Sequence, residues 1–323
     1  SLAGITLAGC LKFGVPERSC KDAGACTRSE QADADSGVDT DPGTDAETDT
    51  DLGTDTDVIE RGEVLWSMSL FGPGDQDLRA LATDAVGNIA VAGAFYGSIT
   101  IDDQTLNAPE DEPGILQGFV ALLDEGGSWI WGKVIESDNH VDVDDVTFDS
   151  QGNVVATGTF VSEISIEGTS VETTLTGGRD AFVIKFDGNN GNVLWGSPVS
   201  CNNPGCTTVP VGDKTPTDIT VDPDDNPVIV GFYSGHFGCG EETCPTATGE
   251  AILLSKFNAD TGAPIWRMSH DSAGKDNALG VAYASNGDFF MAGVFSADID
   301  FGVGVELTAN NQNIFLARFN SSA

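Results

Sequence analysis

The run Asp138-Asn139-His140-Val141-Asp142-Val143-Asp144-Asp145 crowds carboxylate, amide and imidazole groups into one short stretch. Hard oxygens at that density are what a calcium ion takes from a loop. Asp142, Asp144 and Asp145 are therefore the candidate metal ligands, set against the plainer reading of a solvated acidic loop. A second cluster, Asp222-Pro223-Asp224-Asp225-Asn226, has a competing structural explanation given below. No cofactor is expected, calcium being the one the pattern admits. His140, His236 and His270 are far apart and none has the i, i+4 partner of a zinc helix. Gly231-Phe232-Tyr233-Ser234-Gly235 has the wrong spacing for a nucleophile elbow, and no glycine-rich phosphate loop occurs. A carboxylate pair for glycoside hydrolysis is a property of the fold rather than of spacing. No catalytic residue is assigned.

The cysteines point to covalent chemistry of another kind. Leu7-Ala8-Gly9-Cys10 ends an apolar run and is similar to the bacterial lipobox, in which small residues precede a thiol that takes diacylglycerol. Cys10 is the expected lipidation site, and the sequence is expected to start inside a signal peptide. The other six come as three close pairs: Cys20 with Cys26, Cys201 with Cys206, and Cys239 with Cys244. None of the pairs is C-x-x-C, so disulfides are expected rather than a zinc knuckle or redox motif. Local pairing and exchange among the four cysteines of the third repeat are both open.

With 14 Lys+Arg against 51 Asp+Glu, the net charge of −37 argues against nucleic acid, which needs a basic footprint. It suits an exported, soluble surface. From Ser29 to Glu60 the chain is almost wholly Asp, Thr, Gly, Ala and Ser, so it cannot bury a core and its carboxylates repel one another. A tether of this length holds the next domain at least ~30 Å from its anchor. The expected organisation is 1–28 for the signal remnant and a short cysteine-containing segment, 29–61 for the acidic linker, and 62–323 for the folded domain.

The elements that must position any site come from a fourfold repeat. Asp84-Ala-Val-Gly87-Asn88 followed by Ile89 to Phe95 returns at Asp149-Ser-Gln-Gly152-Asn153, at Asp222-Pro-Asp-Asp225-Asn226 and at Ala284-Ser-Asn286-Gly287-Asp288. The closing glycines Gly93, Gly158, Gly231 and Gly293 are 65, 73 and 62 residues apart. Each copy reads as a hairpin turn feeding an apolar strand covered on both faces. Asp84, Asp149 and Asp222 are expected to accept turn amides, Gly87, Gly152 and Gly287 to take the left-handed conformation, and Asp225 to bear it at some cost. Ala284 lacks the carboxylate, which predicts the loosest turn there. A second strand follows in each copy, as in Phe182-Val-Ile-Lys185-Phe-Asp187. In the first three a glycine turn then leads to a strand with Trp131, Trp195 or Trp266.

Four strands per repeat is the size of a propeller blade. Val64-Leu65-Trp66 opens the folded part without a partner, and Phe315 to Asn320 closes it without a tryptophan strand. The expected fold is an all-β propeller of four blades, the last closed by the Trp66 strand. The rivals are an arc completed by another chain and an open array. The D-x-x-G-N turns at Asp84–Asn88 and Asp149–Asn153, the G-x-F steps at Gly93, Gly158 and Gly293, the run Asp180–Asp187 and the tryptophan strands together resemble the bacterial SBBP-type β-propeller repeats, over about Glu63 to Asn320. That resemblance implies a propeller in an exported protein or lipoprotein, but neither shared catalytic residues nor a common ligand.

The expected protein is thus an envelope lipoprotein, lipid-anchored at the outer membrane or cell surface, whose propeller binds a protein or glycan without catalysis. A carbohydrate-active enzyme and a structural spacer are the competing functions. A monomer is expected, with a ring-sharing oligomer as the alternative.

Overall fold

The computed structural model describes residues 64–109, 114–167, 169–172, 178–200, 211–236, 246–302, 304 and 306–320. The lipobox-like segment with Cys10 and the acidic linker lie outside the described residues. So do all three expected disulfides, Cys20 with Cys26, Cys201 with Cys206, and Cys239 with Cys244. The folded unit spans Gly62–Ala323, and the described residues contain strands and turns but no helix.

Each repeat becomes one antiparallel sheet. The first contains β1 (Gln76–Thr83), β2 (Ile89–Phe95), β5 (Gln117–Leu123) and β6 (Trp129–Ile135), hydrogen-bonded in that order. Between β2 and β5 the chain throws out a small hairpin of β3 (Ser98–Ile101) and β4 (Gln104–Asn107). The second sheet has β7 (Asp142–Phe148), β8 (Val154–Phe160), β11 (Asp180–Phe186) and β12 (Val193–Pro198), with the hairpin β9 (Glu163–Ile166) and β10 (Thr169–Glu172). The third holds β13 (Val211–Val221), β14 (Pro227–His236), β15 (Thr246–Phe257) and β16 (Pro264–His270). The fourth has three strands, β17 (Asn277–Tyr283), β18 (Phe289–Phe295) and β21 (Asn313–Phe319), with β19 (Ile299–Asp300) and β20 (Glu306–Leu307) as its hairpin.

The closing glycine of each repeat has a packing cause. Every first strand carries a β-bulge, at Leu78/Ala80, Val143/Asp145, Pro216/Asp218 and Ala278/Gly280. There the strand carbonyl presses onto the second strand. A Cβ on Gly93, Gly158, Gly231 or Gly293 would stand 1.9–2.1 Å from the carbonyl oxygen of Asp77, Asp142, Thr215 or Asn277. Only glycine permits that approach.

The sheets stack face on face in chain order. Ala90, Val120 and Leu122 of the first pack with Val154, Phe182 and Phe186 of the second; Val155 and Val183 continue into the third with Ile229 and Leu253; Val228 and Leu254 meet Phe289 and Met291 of the fourth. First strands pack in succession, β1 on β7, β7 on β13 and β13 on β17, and so share one edge of the stack. No comparable packing joins β17 to β1.

Tryptophans fasten each sheet to the next. Trp131 on the fourth strand of the first sheet donates from Nε1 to Gly188 O in the second (3.0 Å), and Trp195 does the same to Ala259 O in the third (2.9 Å). The rings lie over left-handed glycines of the receiving turns, Gly191 and Gly262.

Two expectations are corrected here. β2 and β8 are covered on both faces, but β18 alternates, with Phe290 and Ala292 exposed, because no further sheet among the described residues packs on that side. The Trp66 strand does not close the fourth sheet. Trp66 Nε1 donates to Glu125 O of the first sheet (3.1 Å), its ring against Gly127, the contact that Trp131 and Trp195 make to the sheets after theirs, but without the pairing to a third strand that those two have.

Candidate functional site

The turns joining first to second strands converge at one end of the stack, and each is built by its leading aspartate. Asp84 Oδ1 accepts from the Val86 and Asn88 amides (2.9 and 2.8 Å), while Asn88 Nδ2 donates to Oδ2 (2.7 Å). Asp149 repeats the arrangement with Gln151 and Asn153, and Asp222 with Asp224 and Asn226. Gly87, Gly152 and Gly287 have φ of +95°, +79° and +84°. Asp225, at φ +64°, stands where the other copies have glycine. Its carboxylate accepts from Ser150 N (2.8 Å) and Ser150 Oγ (2.6 Å), binding the third turn to the second and offsetting the backbone strain. At the fourth turn Asn286 Oδ1 accepts from the Asp288 amide (3.1 Å), so asparagine takes over the role Ala284 cannot fill.

Beneath these turns lie cations that spacing did not single out. Lys185 on β11 meets Asp149 at 2.8 Å with both side chains nearly fully buried, and Lys256 on β15 meets Asp222 at 2.6 Å. Arg318 on β21 pairs with Asp288. Burial pushes the Asp149 and Asp222 carboxyls up, but the lysine hydrogen bonds, joined by those of Asn153 and Asn226, outweigh it and leave both below the ordinary carboxylate range. The sequence signal was there: a lone basic residue before the last aromatic of an otherwise apolar strand. Asp84 has Leu122 at the matching place and no basic partner among the described residues.

The first three turns enclose a cleft of about 610 Å³. Asp84 and Asp225 bring carboxylates to it, Ser150 a hydroxyl and Gln151 an amide, while the lining Asp149 and Asp222 are turned inward onto Lys185 and Lys256. Such a wall attracts cationic and hydrogen-bonding groups. It offers no paired nucleophile and base.

The cluster read as a calcium candidate lies elsewhere, on the shared edge of first strands, and its members point to different partners. Asp142 and Asp144 both meet the Arg79 guanidinium (3.1 and 2.7 Å), with Arg179 at 4.0 Å from Asp142. Burial raises the Asp144 carboxyl to about 6 although Arg79 opposes it. Asp145 Oδ2 accepts the Ile219 amide across the sheet boundary (2.9 Å), and Asp218 likewise accepts from Val281 of the fourth sheet (2.6 Å). Burial, followed by a hydrogen bond shared with Asp218, raises Asp145 to about 7. No group of three metal-ligating side chains converges among the described residues.

The histidines serve packing. His140 Nδ1 accepts the Leu116 amide (3.0 Å), and His270, lowered in pKa by burial, lies against Phe301. The side chain of His236 lies outside the described residues.

No known family pattern and no curated protein matches the chain. Among solved structures, a protein of unknown function from Bacteroides caccae is 10% identical with a TM-score of 0.32, covering 67% of this chain and 70% of that one. Quinohemoprotein alcohol dehydrogenase from Comamonas testosteroni is 13% identical with a TM-score of 0.32; the match covers 68% of this chain but spans only 41% of the dehydrogenase. BamB from Moraxella catarrhalis is 13% identical with a TM-score of 0.16, covering 79% and 91%. Similarities this low carry neither a fold assignment nor an activity to the chain.

Proposed function

We propose that the stacked sheets are a β-propeller-type recognition module, and that it binds a protein or glycan ligand without catalysis in the cleft at the turn end. One observation carries this reading: three successive repeats contribute the same turn to one wall, so the fold itself generates a concave polar surface. Its carboxylates favour a ligand with a cationic face, such as a lysine- or arginine-bearing envelope protein or an amino-sugar glycan. Lipidation at Cys10, the acidic tether and export to the outer membrane or cell surface complete the proposal. The lipobox-like residues and the charge of the linker support that part. Disulfides within the pairs Cys20 and Cys26, Cys201 and Cys206, and Cys239 and Cys244 belong to the same exported setting, supported by their close spacing.

The test is a screen of glycans and envelope proteins against the full chain, repeated with chelator and with Gln151→Arg/Asn189→Arg, which puts positive charge on the cleft rim. A ligand lost in the double variant and retained with chelator fits the proposal. Binding untouched by the two arginines would place recognition elsewhere, and binding abolished by chelator would restore the calcium reading. Turnover of a screened glycan would favour the carbohydrate-active alternative. Cys10→Ser should release the protein from membranes; unchanged membrane partition would refute lipidation at that residue.

A further inference from the structure

The segment from Trp66 to Phe71 occupies the position of a fourth strand, with no first three strands of its own among the described residues. Trp131 and Trp195 show what a fourth-strand tryptophan does: each donates to a turn carbonyl of the following sheet. Trp66 does this to the first sheet, through Glu125 O. A second contact repeats as well. Five residues beyond Trp131, Glu136 forms an antiparallel bridge with Ser165 in the hairpin of the second sheet; five beyond Trp66, Phe71 forms the same bridge with Thr100 in the hairpin of the first. Trp66-Ser67-Met68-Ser69 also repeats Trp266-Arg267-Met268-Ser269 of β16.

The fourth sheet lacks that same element among the described residues. There β21 has β18 on one side and no strand on the other. The sheet face that its counterparts bury against a neighbour is open. Ala90 and Val120 of the first sheet are fully buried, whereas the equivalent Phe290 and Leu316 are 36% and 75% exposed, and Ile314 is 84% exposed. A long apolar edge of this kind is a template for another strand.

We infer that the fourth sheet is completed by Trp66–Phe71 of a second copy of this chain. Docked on its own first sheet, the segment does not pair with β21 of its own chain, and no packing like that between successive sheets joins the first sheet to the fourth. In a second copy it brings its first sheet with it, and the open face of the fourth sheet then receives the kind of contact that joins the others. The register follows from the existing pairs. Leu122, Lys185 and Lys256 face Trp131, Trp195 and Trp266, so Arg318 faces Trp66; Leu254 faces Met268, so Leu316 faces Met68. Each copy gives one such end and receives one, and two identical contacts related by a twofold axis close the assembly. Two copies of four sheets make an eight-bladed ring, within the ~4–8 blades of known propellers, whereas three copies exceed it.

Light scattering on the full chain carrying Cys10→Ser, which excludes any acyl group, tests this across a concentration series. The expected mass is twice the 33.5 kDa of one chain, falling to a single copy in Leu316→Asp. Leu316 is exposed in the single chain, so circular dichroism of that variant should remain that of the folded protein. A single-copy mass for the parent chain would overturn the proposal in favour of closure within one chain or an open array. A mass of three or more copies, or a dimer indifferent to Leu316→Asp, would overturn it equally.

Discussion

At the scale of single residues, the buried pair Asp149–Lys185 is the sharpest energetic commitment in the molecule. Removing one partner strands a charge in the core. Lys185→Met is expected to cost about 3–5 kcal/mol in urea unfolding, and adding Asp149→Asn should recover much of it, because the penalty belongs to the unpaired carboxylate. A double variant no more stable than the single would argue against the pairing. The two classes of buried carboxyl predict opposite pH responses. Asp149 and Asp222 are held low, so their contribution is present above the ordinary carboxylate pKa near ~4 and is lost as pH falls through their folded values. Asp145 is held high, near 7, so its contribution is full below ~4 and is lost as pH rises through about 7. Asp145→Asn should therefore improve the thermal midpoint more at pH 8 than at pH 5. An equal change at both would contradict the raised Asp145 carboxyl. The turn aspartates were legible from Asp-x-x-Gly-Asn, since the motif carries its own geometry. Lys185, Arg79 and Asp218 were not, because their partners come from other strands or other sheets.

At the scale of elements, the fastening between sheets depends on tryptophan and glycine together. Gly262 has φ +67°, and a Cβ there would stand 2.4 Å from the Trp195 ring. Gly262→Ala should destabilise by about 1–3 kcal/mol through left-handed strain, with the displaced ring adding to it. Trp195→Phe keeps an apolar ring but loses the bond to Ala259 O, at about 1 kcal/mol. Chemical denaturation of both variants checks the ordering, and a Gly262→Ala protein as stable as its parent would contradict the close packing. The strands and their turns were readable from the apolar runs of each repeat. The reason for Gly93 and its counterparts was not, because it lies in a bulge on the neighbouring strand. That the Trp66 segment does not pair with β21 of its own chain was not readable for a related reason: strand pairing is a long-range choice that local sequence does not reveal.

At the scale of the whole molecule, the same repeat produces both the cleft and the unfinished ends. Aligned turns make a polar cup at one end of the stack. A three-stranded last sheet and a first segment docked on the first sheet and bridged to its hairpin at Phe71 leave two surfaces of matching register. Fourfold repetition was plain in the sequence, and so was the mismatch between its ends, but which sheet Trp66 joins was decided by tertiary contacts. Hydrogen exchange along β21 tests the resulting picture most directly. Its outward amides, including that of Leu316 or its neighbours in the alternating ladder, should exchange as slowly as those of β5 at concentrations where two copies associate, and should lose protection on dilution. Rapid exchange of those amides at every concentration would contradict it.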